Sequence, residues 1–227
     1  IEDPVEYQMK GVNQVQVNVQ AGLTFASALR SFLRQDPNII MVGEIRDTET
    51  ADLAINAALT GHLVFSTLHT NDAAGVPPRM LDMGVEPFLL TSSLNCVVGQ
   101  RVLRRVCKDC GQEIDIPAGQ IDDLKITLGP IYDMIEEKWK KENKSLKVFK
   151  PVGCDKCNGT GYFGRIAIYE VMPVSEKIAK LIVSKAAAAD IQKQAIEEGM
   201  LTMKQDGYVK VLEGITTVEE VLRVAQY

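Results

Sequence analysis

Three observations predict an α/β fold built on parallel strands. Strand-like apolar runs from Ile39 to Glu44 and from Leu63 to His69 are separated by a helix-patterned stretch from about Thr48 to Leu59, a crossover long enough to join parallel neighbours. Three strand-like runs each end in a polar side chain: Glu2 and Asp3 before Pro4, Glu44 after Gly43, and His69 after Leu68. The 227 residues are 46% hydrophobic, enough for one sizeable core and one or two small appended modules. Open parallel sheets bind ligands outside the carboxyl ends of their strands, so two acids and an imidazole are expected to converge on one edge.

Each element has its own signal. Val15 to Val19 alternates apolar and polar residues, the period of a half-buried strand. Thr24 fits an N-cap, Phe25, Leu29, Phe32 and Leu33 form one helical stripe, and Asp36-Pro37 stops that helix. Glu49 suits the first turn of the next helix and Gly61 its end. Beyond His69 the pattern predicts one helix starting at Asn71 or Asp72 and ending at Gly84, and a second from Glu86 through Leu103 that uses Cys96 for packing. Ile131 to Glu142 reads as an amphipathic helix, followed by a turn over 142–145. Four helices are expected at 175–184, 187–198, 202–213 and 217–225, with capping boxes at Thr202/Gln205 and Thr217/Glu220.

The formal charge of -5 gives no global basic field, and an aromatic content of 6% offers few stacking platforms. Nucleic acid is therefore not expected as a partner, the cluster Arg101, Arg104, Arg105 and Lys108 being the one candidate patch. No apolar stretch reaches the roughly 18 residues of a membrane span, and the composition reads as soluble and globular. Beginning on Ile1 inside a strand-like run, the chain is expected to be an excerpt of a longer protein.

The run from Asn38 to Asp47 drives an acid, Glu44, to a strand end where a hydrated divalent cation and a water could meet it. A buried strand that ends in a surface glutamate would look the same on this segment alone; the other two polar strand ends favour the site. Glu2 is the better candidate for orienting or deprotonating water, because Asp3 also suits a turn cap. His69 lies beside the acids at its strand end, whereas His62, after Gly61, reads equally well as a structural residue.

Four of the five cysteines form two Cys-x-x-Cys pairs, Cys107/Cys110 and Cys154/Cys157. Zn2+ takes four soft ligands in a tetrahedron, and two such turns supply them. A closed four-thiolate site leaves no open position for substrate, so the metal is expected to be structural.

The segments IEDPVEY, LRQDPNIIMVGEIRD and TGHLVFSTLHTNDA, the paired cysteines, GRIAIYEV and GITTVEEVL together resemble the hexameric ATPases of type II secretion and type IV pilus assembly. The resemblance implies a RecA-like core, with Glu2 as the aspartate-box acid that polarises the attacking water and Glu44 as the Walker B acid acting through Mg2+ with ATP. His69, and with it His62, would sense the γ-phosphate, and Cys107, Cys110, Cys154 and Cys157 would bind zinc. It further implies a homohexamer that pushes on an inner-membrane platform protein from the cytoplasmic side. The family's Gly-x-x-x-x-Gly-Lys-Ser/Thr loop is absent, since no glycine is followed by lysine. This chain alone is therefore expected to bind ATP poorly and not to turn it over. Arg46, Arg101 and Arg104 carry no signature of an arginine finger and read as salt-bridge partners.

The expected organisation is a partial ATPase core over 1–105, a tetracysteine module over 106–169 and a helical region over 170–227. A zinc-stabilised docking module without catalytic work is the competing reading of the chain.

Overall fold

A computed structural model describes residues 1–141 and 147–225. In chain order the elements are α1 (Phe25–Phe32), β1 (Ile39–Val42), α2 (Thr48–Leu59), β2 (Leu63–Ser66), α3 (Val76–Asp82), α4 (Pro87–Ser93), β3 (Cys96–Val106) and β4 (Gln112–Asp115). They continue with α5 (Ala118–Leu128), α6 (Pro130–Lys141), β5 (Lys147–Lys150), β6 (Tyr162–Pro173), α7 (Glu176–Val183), α8 (Ala188–Glu197), α9 (Met203–Leu212) and α10 (Val218–Ala225). The chain forms two compact units, each made from two stretches: residues 1–97 with 172–198, and residues 98–171 with 199–227. The carboxyl-terminal helices, grouped as one region by sequence, are thus shared, α7 and α8 in the first unit and α9 and α10 in the second.

In the first unit β1 and β2 pair in parallel, from Ile39 opposite Leu63 to Val42 opposite Ser66. The sheet continues on the other side of β1. The Ile1 amino nitrogen donates to Met41 O at 2.8 Å, and Gly43 N donates to Ile1 O at 2.8 Å. Glu2 in turn pairs in parallel with Gln16. The strand expected over Val15–Val19 is reduced to this bridge and one between Asn18 and Leu23, because the chain turns into a short 3-10 helix at Val19–Ala21.

Thr24 caps α1 in a reciprocal box with Ser27, and Asp47 caps α2 through the backbone N–H of Thr50 at 2.8 Å. Leu29, Ala51, Ala54 and Ile55 bury the facing sides of these helices with Ile40 and Val42 of β1. The opposite face of the sheet, carrying Ile39, Met41, Leu63 and Phe65, stays exposed and apolar.

The helix expected from Glu86 through Leu103 stops at Ser93, and Cys96–Val106 is a strand paired with β6. Its valines alternate, Val97 buried and Val98 exposed, Leu103 buried and Val102 exposed, which is a period of two that four β-branched residues reinforce. Cys96 is accordingly an exposed strand residue and does not pack between helices.

In the second unit β4 and β5 form an antiparallel pair from Gln112 opposite Lys150 to Asp115 opposite Lys147. Helix α6 matches the amphipathic segment predicted, but α5 precedes it unforeseen; the turn expected over 142–145 lies outside the described residues. Leu103, Leu124, Leu128, Ile168, Tyr208, Val211, Leu212 and Val221 build one core among β3, α5, β6, α9 and α10. The Thr202/Gln205 box forms as expected. At Thr217 only half of a box forms: Thr217 accepts from Glu220 N at 3.3 Å, while the Glu220 carboxylate turns to Arg104 and Arg223.

Candidate functional site

The parallel register brings three of the predicted polar residues to the carboxyl edge of the first unit's sheet. Gly43 makes this possible: a Cβ there would stand 3.1 Å from Ile1 O and 3.3 Å from the Glu2 Cα, closer than neighbouring strands tolerate without moving. Ile45 is buried and donates its N–H to Thr67 O at 3.0 Å, and the Thr67 hydroxyl donates to Gly43 O at 2.6 Å. The backbone on either side of Glu44 is therefore tied to the segment that carries His69.

The Glu44 side chain is only 12% exposed, yet each of its carboxylate oxygens has a partner. Oε1 lies 2.5 Å from a terminal nitrogen of Arg46, and Oε2 lies 3.2 Å from His69 Nε2. The Arg46 guanidinium holds the Glu44 carboxyl below the usual carboxylate range, against the opposing effect of burial and with a further bond from His69. Arg46 itself is raised by Glu44 and by the more distant charge of Asp3. One strand over, Glu2 Oε2 accepts from Gln14 Nε2 at 2.8 Å. Gln14 is held in turn, its amide oxygen accepting from Met9 N at 2.7 Å and its nitrogen donating to Tyr7 O at 2.9 Å.

His62 is not part of this group. It precedes β2, so it sits at the opposite end of the strand from His69, and its Nδ1 lies 2.9 Å from Ala57 O in the last turn of α2. Thr60 Oγ1 is 3.1 Å from the same nitrogen. The ring rests against a carbonyl at the carboxyl end of α2 that also accepts from the backbone N–H groups of Thr60 and His62.

Two contributors have no signal in the sequence: Gln14, which steadies Glu2, and Thr67, which ties β2 to Gly43. Arg46, expected as a salt-bridge partner, pairs with Glu44. Asp47 is occupied as the α2 cap and is unavailable to the edge.

In the second unit the four paired cysteines meet. Their sulfur atoms all lie within 4.8 Å of one another, with separations of 3.9 Å for Cys107–Cys154, 3.8 Å for Cys110–Cys157 and 3.7 Å for Cys154–Cys157. A zinc tetrahedron with Zn–S bonds of about 2.3 Å has edges of about 3.8 Å, so the donor set fits that ion. Backbone N–H groups of Gly153, Cys154 and Gly161 point at the sulfurs of Cys110 and Cys157 from 3.2 to 3.3 Å. Burial works to raise the Cys157 pKa, but the N–H groups of Cys154 and Gly161 outweigh it and bring the thiol down to about 6. Cys110, half-buried beside the other thiols, is pushed up to about 11 by its partial desolvation.

Arg104, from the basic cluster, lies over the Tyr162 ring, 4.3 Å from its centroid, and pairs with Glu220. It serves packing inside the second unit.

The parallel sheet with its acidic edge is a fold shared with α/β ATPases. The pilus retraction motor PilT with bound ADP resembles the chain with a TM-score of 0.66 at 28% identity, covering 100% of this chain and 51% of that one. The Legionella pneumophila ATPase DotB, at 18% identity and a TM-score of 0.61, has the same fold. A family model described as type II/IV secretion system protein matches residues 1–223, and the chain belongs to that family. It is 50% identical over 222 residues to the type IV pilus assembly ATPase PilB of Thermus thermophilus, covering 98% of this chain and 24% of that protein. It is 45% identical over 226 residues to the type II secretion system protein E of Aeromonas hydrophila, covering 100% of this chain and 42% of that protein. The chain thus spans between about a quarter and two-fifths of the length of these relatives. Among the described residues no helix is long and apolar enough to cross a membrane.

Proposed function

We propose that this chain is the carboxyl-terminal part of a RecA-like motor ATPase that drives type IV pilus assembly or type II secretion. The observation that carries the reading is the edge where Glu44, His69 and Glu2 lie on adjacent parallel segments, with Glu44 ionised and its two oxygens oriented by different partners. When bound with ATP, Mg2+ supplies charge neutralisation for the phosphates. Glu44 would hold the water shell of that cation, and Glu2, steadied by Gln14, would orient the attacking water and take up its proton. His69, 87% exposed beyond the strand end and held there by Glu44, is placed to sense the γ-phosphate. His62 belongs to the helix it caps.

Cys107, Cys110, Cys154 and Cys157 hold a structural zinc that joins the end of β3 to the loop before β6. The working form is a cytoplasmic homohexamer acting on an inner-membrane platform protein. The phosphate grip comes from a loop outside this sequence.

ATP turnover and zinc content, measured on this chain and on a longer polypeptide that adds an upstream phosphate loop, test the proposal. Turnover in the longer polypeptide alone, with one zinc per chain in both, is the expected result. No turnover in either favours a zinc-stabilised docking module.

A further inference from the structure

Resting on the reading of Glu44 as the acid at the nucleotide's cation, we infer that Arg46 is a positioning residue that fixes the Glu44 carboxylate for hydrolysis. Ile45, between the two, is buried and bonded to Thr67 O, so the pair hangs from an anchored segment. The next residue, Asp47, is committed to the α2 N-terminus and cannot draw Arg46 away. The guanidinium then meets Glu44 Oε1 at 2.5 Å and leaves Oε2 to face His69.

Stability does not explain this pairing. Arg46 is 59% exposed, and an ion pair with one partner that open to solvent contributes little to folding. Its effect falls on the carboxylate, which is largely covered and whose Oε1 is taken by a planar, multiply donating group while Oε2 meets the single nitrogen of His69. A rotating carboxylate would present either oxygen to the cation's water shell; the paired one presents Oε2 alone.

The charged groups around Glu44 come from three segments: Arg46 on its own, His69 after β2, and Glu2 with Asp3 beside β1. Asp3 raises Arg46 through its charge, so the acid-rich edge keeps the guanidinium in place. Arg46 outweighs the burial that would otherwise push Glu44 toward its neutral form.

The first test is made on this chain. Carbon-detected NMR follows the Glu44 carboxyl through a pH titration in the unaltered protein and in Arg46→Gln. The variant is expected to raise the Glu44 midpoint, because it removes the guanidinium that holds the carboxyl low. In the longer polypeptide, Arg46→Gln is expected to lower kcat by about tenfold to a hundredfold, as misplacement of a reacting group does, and to leave KM for ATP unchanged. The acid limb of its pH profile should move up with the Glu44 midpoint. Arg46→Lys keeps the charge without the fork, so it restores the acid limb and not kcat. A Glu44 midpoint and a kcat that both stay at their original values in Arg46→Gln would overturn the positioning role. Turnover that survives Glu44→Gln overturns the underlying reading of Glu44, so the two failures are distinguishable.

Discussion

The Glu220 carboxylate lies directly against Arg104: Oε1 accepts from the Arg104 backbone N–H at 2.9 Å and from its Nε at 3.1 Å, and Oε2 from a terminal nitrogen at 2.7 Å. Arg223 adds bonds at 2.9 and 2.6 Å from the same helix as Glu220. The acid is 1% exposed, so α10 is fastened to β3 through a buried charge with all of its lone pairs engaged. Burial alone would raise its pKa; the Arg223 and Arg104 bonds outweigh that and hold it at about 2.

The pH dependence follows from that depressed value. The unfolded chain titrates near the ordinary glutamate range of about 4.3, so the stabilisation is complete above that pH and is lost as pH falls toward 2. Glu220→Gln is expected to cost about 2 kcal/mol at pH 7, and much less at pH 3. Denaturant titrations at the two pH values read the difference directly.

Removing metal should act on the second unit. Cys-ligated zinc contributes on the order of 10 kcal/mol to small modules at neutral pH, and here the cluster closes the ends of β3 and β6. Chelation, or Cys154→Ser, is expected to abolish the one-to-one zinc content and to lower the melting temperature. Amide exchange in β4, β5 and the cysteine turns should rise while exchange in α1 and α2 stays slow. Uniform exchange changes in both units would contradict the assignment.

Gly161 tests the shell around the metal. Its φ is +74°, a Cβ there would stand 2.5 Å from the Pro151 Cβ, and its N–H is one of the donors to Cys157. Gly161→Ala should therefore be strained twice over, costing about 2 kcal/mol or more in stability and weakening zinc binding by about tenfold. Competition with a chromophoric chelator measures the second effect.

The two histidines should separate cleanly. His62→Ala removes a ring from the end of α2 and is expected to cost about 1 kcal/mol in stability, with nucleotide turnover of the longer polypeptide retained. His69→Ala should leave stability unchanged, since the ring is mostly exposed, and lower turnover. Paired thermal melts and turnover assays decide between the roles.

Much of this was legible in the chain because its signals are local. The spacing of the Ile39 and Leu63 runs implies a parallel crossover, and that geometry alone brings Glu44 and His69 to one edge. Two Cys-x-x-Cys turns imply a tetrahedral donor set wherever the fold brings them together. The misread elements are those whose identity depends on a distant partner. Cys96–Val106 carries arginines and leucine that suit a helix, and becomes a strand because β6, more than fifty residues later, supplies its hydrogen bonds. Glu220 sits where a capping box predicts a local bond, but Arg104, 116 residues away, outcompetes Thr217 for the carboxylate. Helix α5 follows Pro117 and contains Gly119, which hides its start. Gln14 gives no signal at all, since its role exists only once Glu2 lies beside it.

The most direct test of the central claim is ATP hydrolysis by Glu44→Gln in a polypeptide that joins this chain to its phosphate loop, with nucleotide affinity measured in parallel. Loss of turnover by at least about a thousandfold with ATP affinity retained is the predicted result, because the substitution removes the charge at the cation while leaving the phosphate grip intact. Turnover that persists at the original rate would contradict it and leave the acidic edge as scaffold.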